Sequence, residues 1–339
     1  MKRIIWAAII CLGVLTPGRG AFANDDRPVT VGYQLVYNPW KVAITSGAFA
    51  AATSHSIKWR QFDSGAQVIN ALALGEVDIA MSGSSPIAAG LSRGIDMELF
   101  WIVEDIADAE ALVVRYDSGI ISPQDLRGRI IAVPLASTTH FHLLFALDQF
   151  GIDPQDLTIR GLQPPEITLA WAAGEIDAAF VWDPALGQLK NTGKVLITSG
   201  VLSSWGKATF DGMVVSRAFA ADNPEFMCKF VKTLAAADAA YRADPDAWTP
   251  ESEQVQAIVG LTGGDAADVA GVLELYDFPT LAEQASSQWL GGGSGGGAAR
   301  ALKFTSEFLM EERKIPSVLP DYAPAVNPRW VEVVVAGGC

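Results

Sequence analysis

A chain of 339 residues, 50% hydrophobic and only 18% charged, is long enough for two domains of ordinary size and apolar enough to bury large cores, which excludes a disordered polymer. Its formal net charge of −14, with no basic aromatic patch to reverse it, is a poor match to phosphate backbones and excludes nucleic acid as a partner.

The N-terminal residues predict a processing signal. Lys2 and Arg3 precede an apolar run over 4–15, and Ala21-Phe22-Ala23 supplies a small-x-small cleavage site. The expectation is a signal peptide over 1–23, a mature chain from Asn24 and a periplasmic location. The run is too short to span a membrane comfortably, and Cys11 lacks the preceding small residues of a lipid-anchored protein. Cys228 and Cys339 remain. An exported compartment permits a disulfide, but sequence alone cannot bring the two within bonding distance. Cys228 is read as a small buried hydrophobe and Cys339 as a terminal residue without a role.

From residue 29 to 215 short apolar strands alternate with helical patterns. Strands are predicted over 29–33, 57–62 and 77–81, with helices opening at Asn38-Pro39 and over 67–74, the latter ended by Gly75. This β-α-β rhythm implies mainly parallel sheet. It returns about a hundred residues later: Ala71-Leu72-Ala73-Leu74-Gly75-Glu76-Val77-Asp78-Ile79-Ala80 matches Ala170-Trp171-Ala172-Ala173-Gly174-Glu175-Ile176-Asp177-Ala178-Ala179. Both copies end a helix at glycine, which adopts the left-handed cap conformation, and start a strand at once. Strands over 129–134 and 157–160 complete the second copy. Two copies of one α/β unit predict two similar doubly wound lobes. The strands over 111–115 and 212–215 are the natural crossings between them, giving a first lobe of 24–112 with 213–339 and a second of 113–212. Residues after Asn223 are mostly helical and are expected to pack on the first lobe, with Gly291 to Gly297 a flexible loop by composition.

No catalytic constellation is visible. His55, His140 and His142 have no metal-site companions and read as surface or cleft-wall side chains, and there is no nucleophile elbow, phosphate loop or dinucleotide fingerprint. The expectation is a protein that is not an enzyme and uses no metal or cofactor. The loops instead offer hydroxyls at helix starts beyond the carboxyl ends of strands: Ser84 and Ser85 in one lobe, Ser137, Thr138 and Thr139 in the other, with Gln34 after the first strand. Helix N-termini carry free N–H groups and positive partial charge, so a cleft faced by several of them suits an oxyanion. Glu110 and Asp211, each beside a crossing, and Asp183, after Trp182, are candidate partners for a cation. Tyr33, Tyr37, Trp40 and Trp182 are candidate aromatic walls.

The segments Trp59-Arg60-Gln61-Phe62-Asp63-Ser64-Gly65-Ala66, Gly83-Ser84-Ser85-Pro86, Ser137-Thr138-Thr139-His140, Leu162-Gln163-Pro164-Pro165 and Val181-Trp182 give the chain a clear resemblance. It resembles the taurine-binding periplasmic components of ABC importers, within the solute-binding family for nitrate, sulfonates and taurine. The resemblance implies a type II periplasmic-binding-protein fold with ligand held between hinged lobes. It implies a monomer that delivers taurine to a membrane permease and its ATPase. Gln34, Ser84, Ser85, Ser137, Thr138, Thr139, Trp182 and Asp211 fall on the cleft segments so implied. Another alkanesulfonate or an aromatic sulfonate is the alternative ligand, and a sulfinate-cleaving hydrolase of the same fold the alternative activity.

Overall fold

The computed structural model describes residues 27–339, so the predicted leader and its cleavage site lie outside the described residues. Ten strands form two sheets: β1 Val29–Gln34, β2 Ile57–Phe62, β3 Ile79–Gly83, β4 Met97–Asp105, β5 Glu110–Arg115, β6 Ile130–Val133, β7 Thr158–Gly161, β8 Ala178–Trp182, β9 Gly193–Thr198 and β10 Phe210–Ser216. The first sheet runs β2-β1-β3-β10-β4 and the second β7-β6-β8-β5-β9. In each sheet the pairs among the first three strands are parallel, and the fourth strand is antiparallel to both of its neighbours. The two orders are one pattern used twice.

The duplicated Glu-x-Asp segments show why. Asp78 accepts the Thr30 N–H at 2.8 Å and Asp177 accepts the Ile130 N–H at 2.8 Å, so each aspartate holds the start of the corresponding parallel strand of its lobe, β1 or β6. Glu76 pairs with Arg60 and Glu175 with Arg160, which ties the returning strand to the edge strand in both copies. These are structural uses of carboxylates, and they recur because the local topology recurs.

The strands read as crossings lie wholly within one sheet each. The chain passes to the second sheet between Asp105 and Glu110 and returns over 205–209. Strands β4 and β9 are not predicted from the sequence. β4 is buried along nearly its whole length, so it shows a continuous apolar run in place of alternation, while β9 is an edge strand that mixes buried and exposed residues without alternating. In the second sheet the alternation is strict. Leu112, Val114, Ile131, Val133 and Phe180 face one apolar cluster, and Ala111, Val113, Ala132, Ala179 and Val181 face another.

The C-terminal helices pack on the first lobe, and one of them also reaches the second. The helix Pro224–Ala243 stacks Phe230 against Phe49 and Trp59, joining an aromatic group that includes Trp40. The helix Gly297–Glu311 packs on the first lobe through Ala298, Ala299 and Leu302, and its end also delivers Phe308 and Leu309 to the core of the second lobe, where Phe308 meets Phe141 edge-on at 5.3 Å. The glycine run before that helix is not a flexible loop. Its backbone is bonded into place, as by Gly297 N–H to the Ser287 carbonyl, and a Cβ at Gly297 would stand 1.8 Å from the Gln288 carbonyl oxygen. Glycine is there for close backbone approach. Cys228 and Cys339 form a disulfide with Cα atoms 6.3 Å apart, which replaces the reading of Cys228 as a plain hydrophobe and gives Cys339 its role.

Candidate functional site

Both sheets point the carboxyl ends of their parallel strands, and the amino end of their one antiparallel strand, at the same cleft. That geometry puts Glu110, the first residue of β5, and Asp211, the second residue of β10, at matching places in the two lobes. Register sets Glu110 beside Trp182, and Asp211 between Gly83 and Glu104. The cleft is lined by Gln34, Gly65, Glu110, Thr138, Trp182 and Asp211, among others. The lobes meet across it: a Cβ on Gly83 would stand 2.8 Å from Cγ2 of Thr138 and 3.3 Å from Oδ1 of Asp211.

Ser137 also borders the cleft, but its hydroxyl is a helix cap. It donates to the Pro134 carbonyl at 2.6 Å and accepts the His140 N–H at 3.0 Å, and Thr139 Oγ1 lies 2.7 Å from it. The Thr138 hydroxyl donates to Glu110 Oε1 at 2.5 Å. The second-lobe hydroxyls are therefore engaged within the protein. What the helix Thr138–Gln149 still offers the cleft is its first backbone N–H groups and its positive end. Ser84 Oγ accepts the Phe210 N–H, and Ser85, buried beside it, has no partner for its hydroxyl among the described residues. Asp183 lies away from the cleft. Its Oδ1 caps the Gly187 N–H at 2.9 Å, and burial pushes its carboxyl up to about 6 against the pull of Lys190.

The structure adds Ser64 and Ser82 to the donors Gln34 and Ser85 expected from the sequence. At the corner where β1, β3 and the helix Gly65–Ala73 converge, a Cβ on Gly65 would stand 2.4 Å from Ser82 Oγ and 3.3 Å from Gln34 Nε2. Ser64, Ser82 and Ser85 are buried, and their hydroxyls have no partner among the described residues. Ser64 occupies the N-cap of that helix without capping it, and Gln34 Nε2 has only the Met81 sulfur at 3.6 Å. Each buried hydroxyl without a partner costs about 1–3 kcal/mol, which a ligand oxygen would recover. The glycine leaves room for that oxygen. The signal for Ser82 is strand alternation: with β3 running through Gly83, Ser82 is a strand residue, whereas Ser84 already begins a helix.

The opposite end is acidic. Behind Asp211 lie Glu104 and Lys41, both fully buried. Asn38 donates to both Glu104 oxygens at 2.9 and 2.8 Å and accepts from Lys41 Nζ at 2.6 Å. Burial raises Glu104 well above the carboxylate range, with the neighbouring Asp211 charge adding to it, while Lys41 opposes. Burial raises Asp211 less, to about 6, because Glu104 bonds to it and Lys41 attracts its charge. Burial lowers Lys41 to about 7 against the attraction of Glu104 and Asp211. Glu110 is pushed up to about 8 by burial, with the Thr138 hydroxyl opposing and the Asp211 charge adding. Of the three acids Asp211 is raised least, so it is the one placed to carry the negative charge. Among the described residues no group of three or more His, Cys, Asp or Glu side chains comes together to hold a metal ion.

The sequence matches the NMT1/THI5-like family over residues 56–248. The chain belongs to that family. This member is 39% identical to the taurine-binding periplasmic protein of Escherichia coli (strain K12) over 312 residues, covering 92% of this chain and 95% of the relative. Among solved structures, the family member's fold matches the alkanesulfonate-binding protein SsuA from Xanthomonas axonopodis pv. citri bound to MOPS, with a TM-score of 0.72 at 24% identity over 88% of this chain and 98% of that one. It also matches the periplasmic aliphatic sulphonate binding protein SsuA from Escherichia coli, with a TM-score of 0.70 at 22% identity over 90% of this chain and 99% of that one. The fold is the periplasmic-binding-protein fold expected from the sequence, and the three relatives named are binding proteins.

Proposed function

We propose that this chain is the periplasmic solute-binding component of an ABC importer and that it closes its two lobes over taurine. The observation that carries the reading is the split polarity of the cleft: neutral donors at one corner and a single ionised carboxylate at the other. A sulfonate fits the corner of Gln34, Ser64 and Ser82, where two hydroxyls without partners among the described residues and the Gln34 amide meet the N-terminus of the helix Gly65–Ala73. An ammonium fits Asp211. Trp182 closes one wall, and because both walls belong to one chain, a monomer completes the site. Closing the lobes excludes water and presents the closed shape to a permease and its ATPase. The similarity to the taurine-binding protein supports the choice of taurine. The aromatic wall of Trp182 and Tyr276 favours, as a second reading, a larger aromatic sulfonate.

The donor corner is testable apart from the amine. Ser64→Ala with Ser82→Ala is expected to weaken taurine and ethanesulfonate alike, by about 1–3 kcal/mol for each hydroxyl lost. Isothermal titration calorimetry reads this directly. Unchanged affinity for both ligands in a folded double variant would place the sulfonate elsewhere.

A further inference from the structure

Behind Glu110 runs a buried chain of three bonds. Ser199 Oγ lies 3.1 Å from Glu110 Oε2, His142 Nδ1 lies 2.7 Å from the same Ser199 oxygen, and His142 Nε2 lies 2.7 Å from the Lys207 carbonyl oxygen. Ser199 and His142 are fully buried and Glu110 and Thr138 nearly so. The far end of the chain fixes the direction of every proton in it. A carbonyl oxygen only accepts, so His142 Nε2 carries a hydrogen. The imidazole ring is enclosed by Phe141 and Phe180, with no acid in contact, and burial pushes it down to about 4. A neutral ring protonated at Nε2 has a bare Nδ1, which must accept the Ser199 hydroxyl proton. The 3.1 Å contact between Ser199 and Glu110 then needs a proton from the other side.

We infer that Glu110 is held as a neutral carboxylic acid whose Oε2–H donates to Ser199, with His142 and Ser199 as positioning residues that keep it so. Oε1 is its carbonyl oxygen and takes the Thr138 proton, leaving the Thr138 lone pairs toward the cleft. Burial and the Asp211 charge favour this neutral form and the Thr138 hydroxyl opposes it. The groups that face Glu110 are Asp211 from β10, whose charge disfavours a second carboxylate, Tyr276 from the C-terminal part of the first lobe, Thr138, Ser199 and Trp182. Glu104 and Lys41 stand behind Asp211.

The consequence for ligand choice rests on the reading in the previous section. The cleft presents one negative charge to one ammonium, and no second carboxylate repels the sulfonate. The placement of the proton itself does not depend on which ligand binds.

Two measurements on the ligand-free full chain test it. Long-range ¹H–¹⁵N NMR at pH 7 is expected to show His142 as the Nε2–H tautomer, still neutral at pH 5. The Glu110 carboxyl, assigned by its loss in Glu110→Gln, is expected to titrate near pH 8 by ¹³C NMR. Ser199→Ala removes the acceptor of its proton and is expected to lower that midpoint by about one pH unit, a tenfold loss of proton affinity. Ser199→Thr keeps the hydroxyl and leaves the midpoint in place. If Ser199 instead donates to a carboxylate, the alanine variant raises the midpoint and His142 carries a proton on Nδ1 as well as on Nε2, a cationic ring at pH 7; either result overturns the inference. The tautomer is read on the unmodified protein, so it decides the matter even where Ser199→Ala fails to fold. Because no ligand is present, failure of taurine to bind would leave both results standing.

Discussion

Asp211→Asn is expected to weaken taurine by about two to four decades in Kd while leaving ethanesulfonate, which lacks the amine, nearly unchanged. The expectation follows from burial. Asp211 is 7% exposed, and of the cleft's acids it is raised least by burial because Glu104 bonds to it and Lys41 attracts its charge. Removing one partner of a buried ion pair leaves the other charge uncompensated, at about 3–5 kcal/mol, which converts to that range of affinity. Asparagine keeps the shape and still accepts a bond from Glu104, so the first sheet is expected to hold. Calorimetric titration of the two ligands separates the outcomes. Equal weakening of both would make Asp211 a structural residue at the crossing. No weakening of either would move the ammonium to another acceptor, with Glu110 facing the same cleft.

Reducing the Cys228–Cys339 disulfide, or replacing both residues with serine, is expected to destabilise the protein by about 2–4 kcal/mol without changing ligand affinity. The bond closes a separation of 111 residues, and long loops lose the most entropy on cross-linking in the unfolded chain. It also fastens the C-terminal helix Arg329–Val335 to the helix Pro224–Ala243, on the side of the first lobe away from the cleft. Chemical denaturation with and without reductant measures the loss. An unchanged midpoint, with two free thiols in the unreduced protein, would show that the bond does not form.

The duplicated lobe architecture was legible because its signals are local. A helix ended by glycine and followed at once by Glu-x-Asp and an apolar strand is visible in a ten-residue window, and it occurs twice. Glu110 and Asp211 were legible for the same reason: acids next to apolar strands at the expected crossings. Lys41 and Glu104 were not. Their partner Asn38 lies 66 residues from Glu104, so nothing near Glu104 marks it as other than the polar end of an apolar run. His142 reads as a surface histidine beside His140, whereas its partners come from residues 57 and 65 positions away. Ser64 looks like an ordinary helix cap. Only the structure shows that its hydroxyl caps nothing and sits with Ser82 and Gln34 around a glycine.

The account rests on a cleft that demands both an anion and an amine. Titrating the purified chain with taurine, ethanesulfonate and nitrate in one calorimetric series tests this most directly. Taurine is expected to bind tightest, ethanesulfonate more weakly by the value of the Asp211 pair, and nitrate weakest, because it reaches neither the acid nor the full donor corner. Ethanesulfonate or nitrate binding as tightly as taurine would contradict the account.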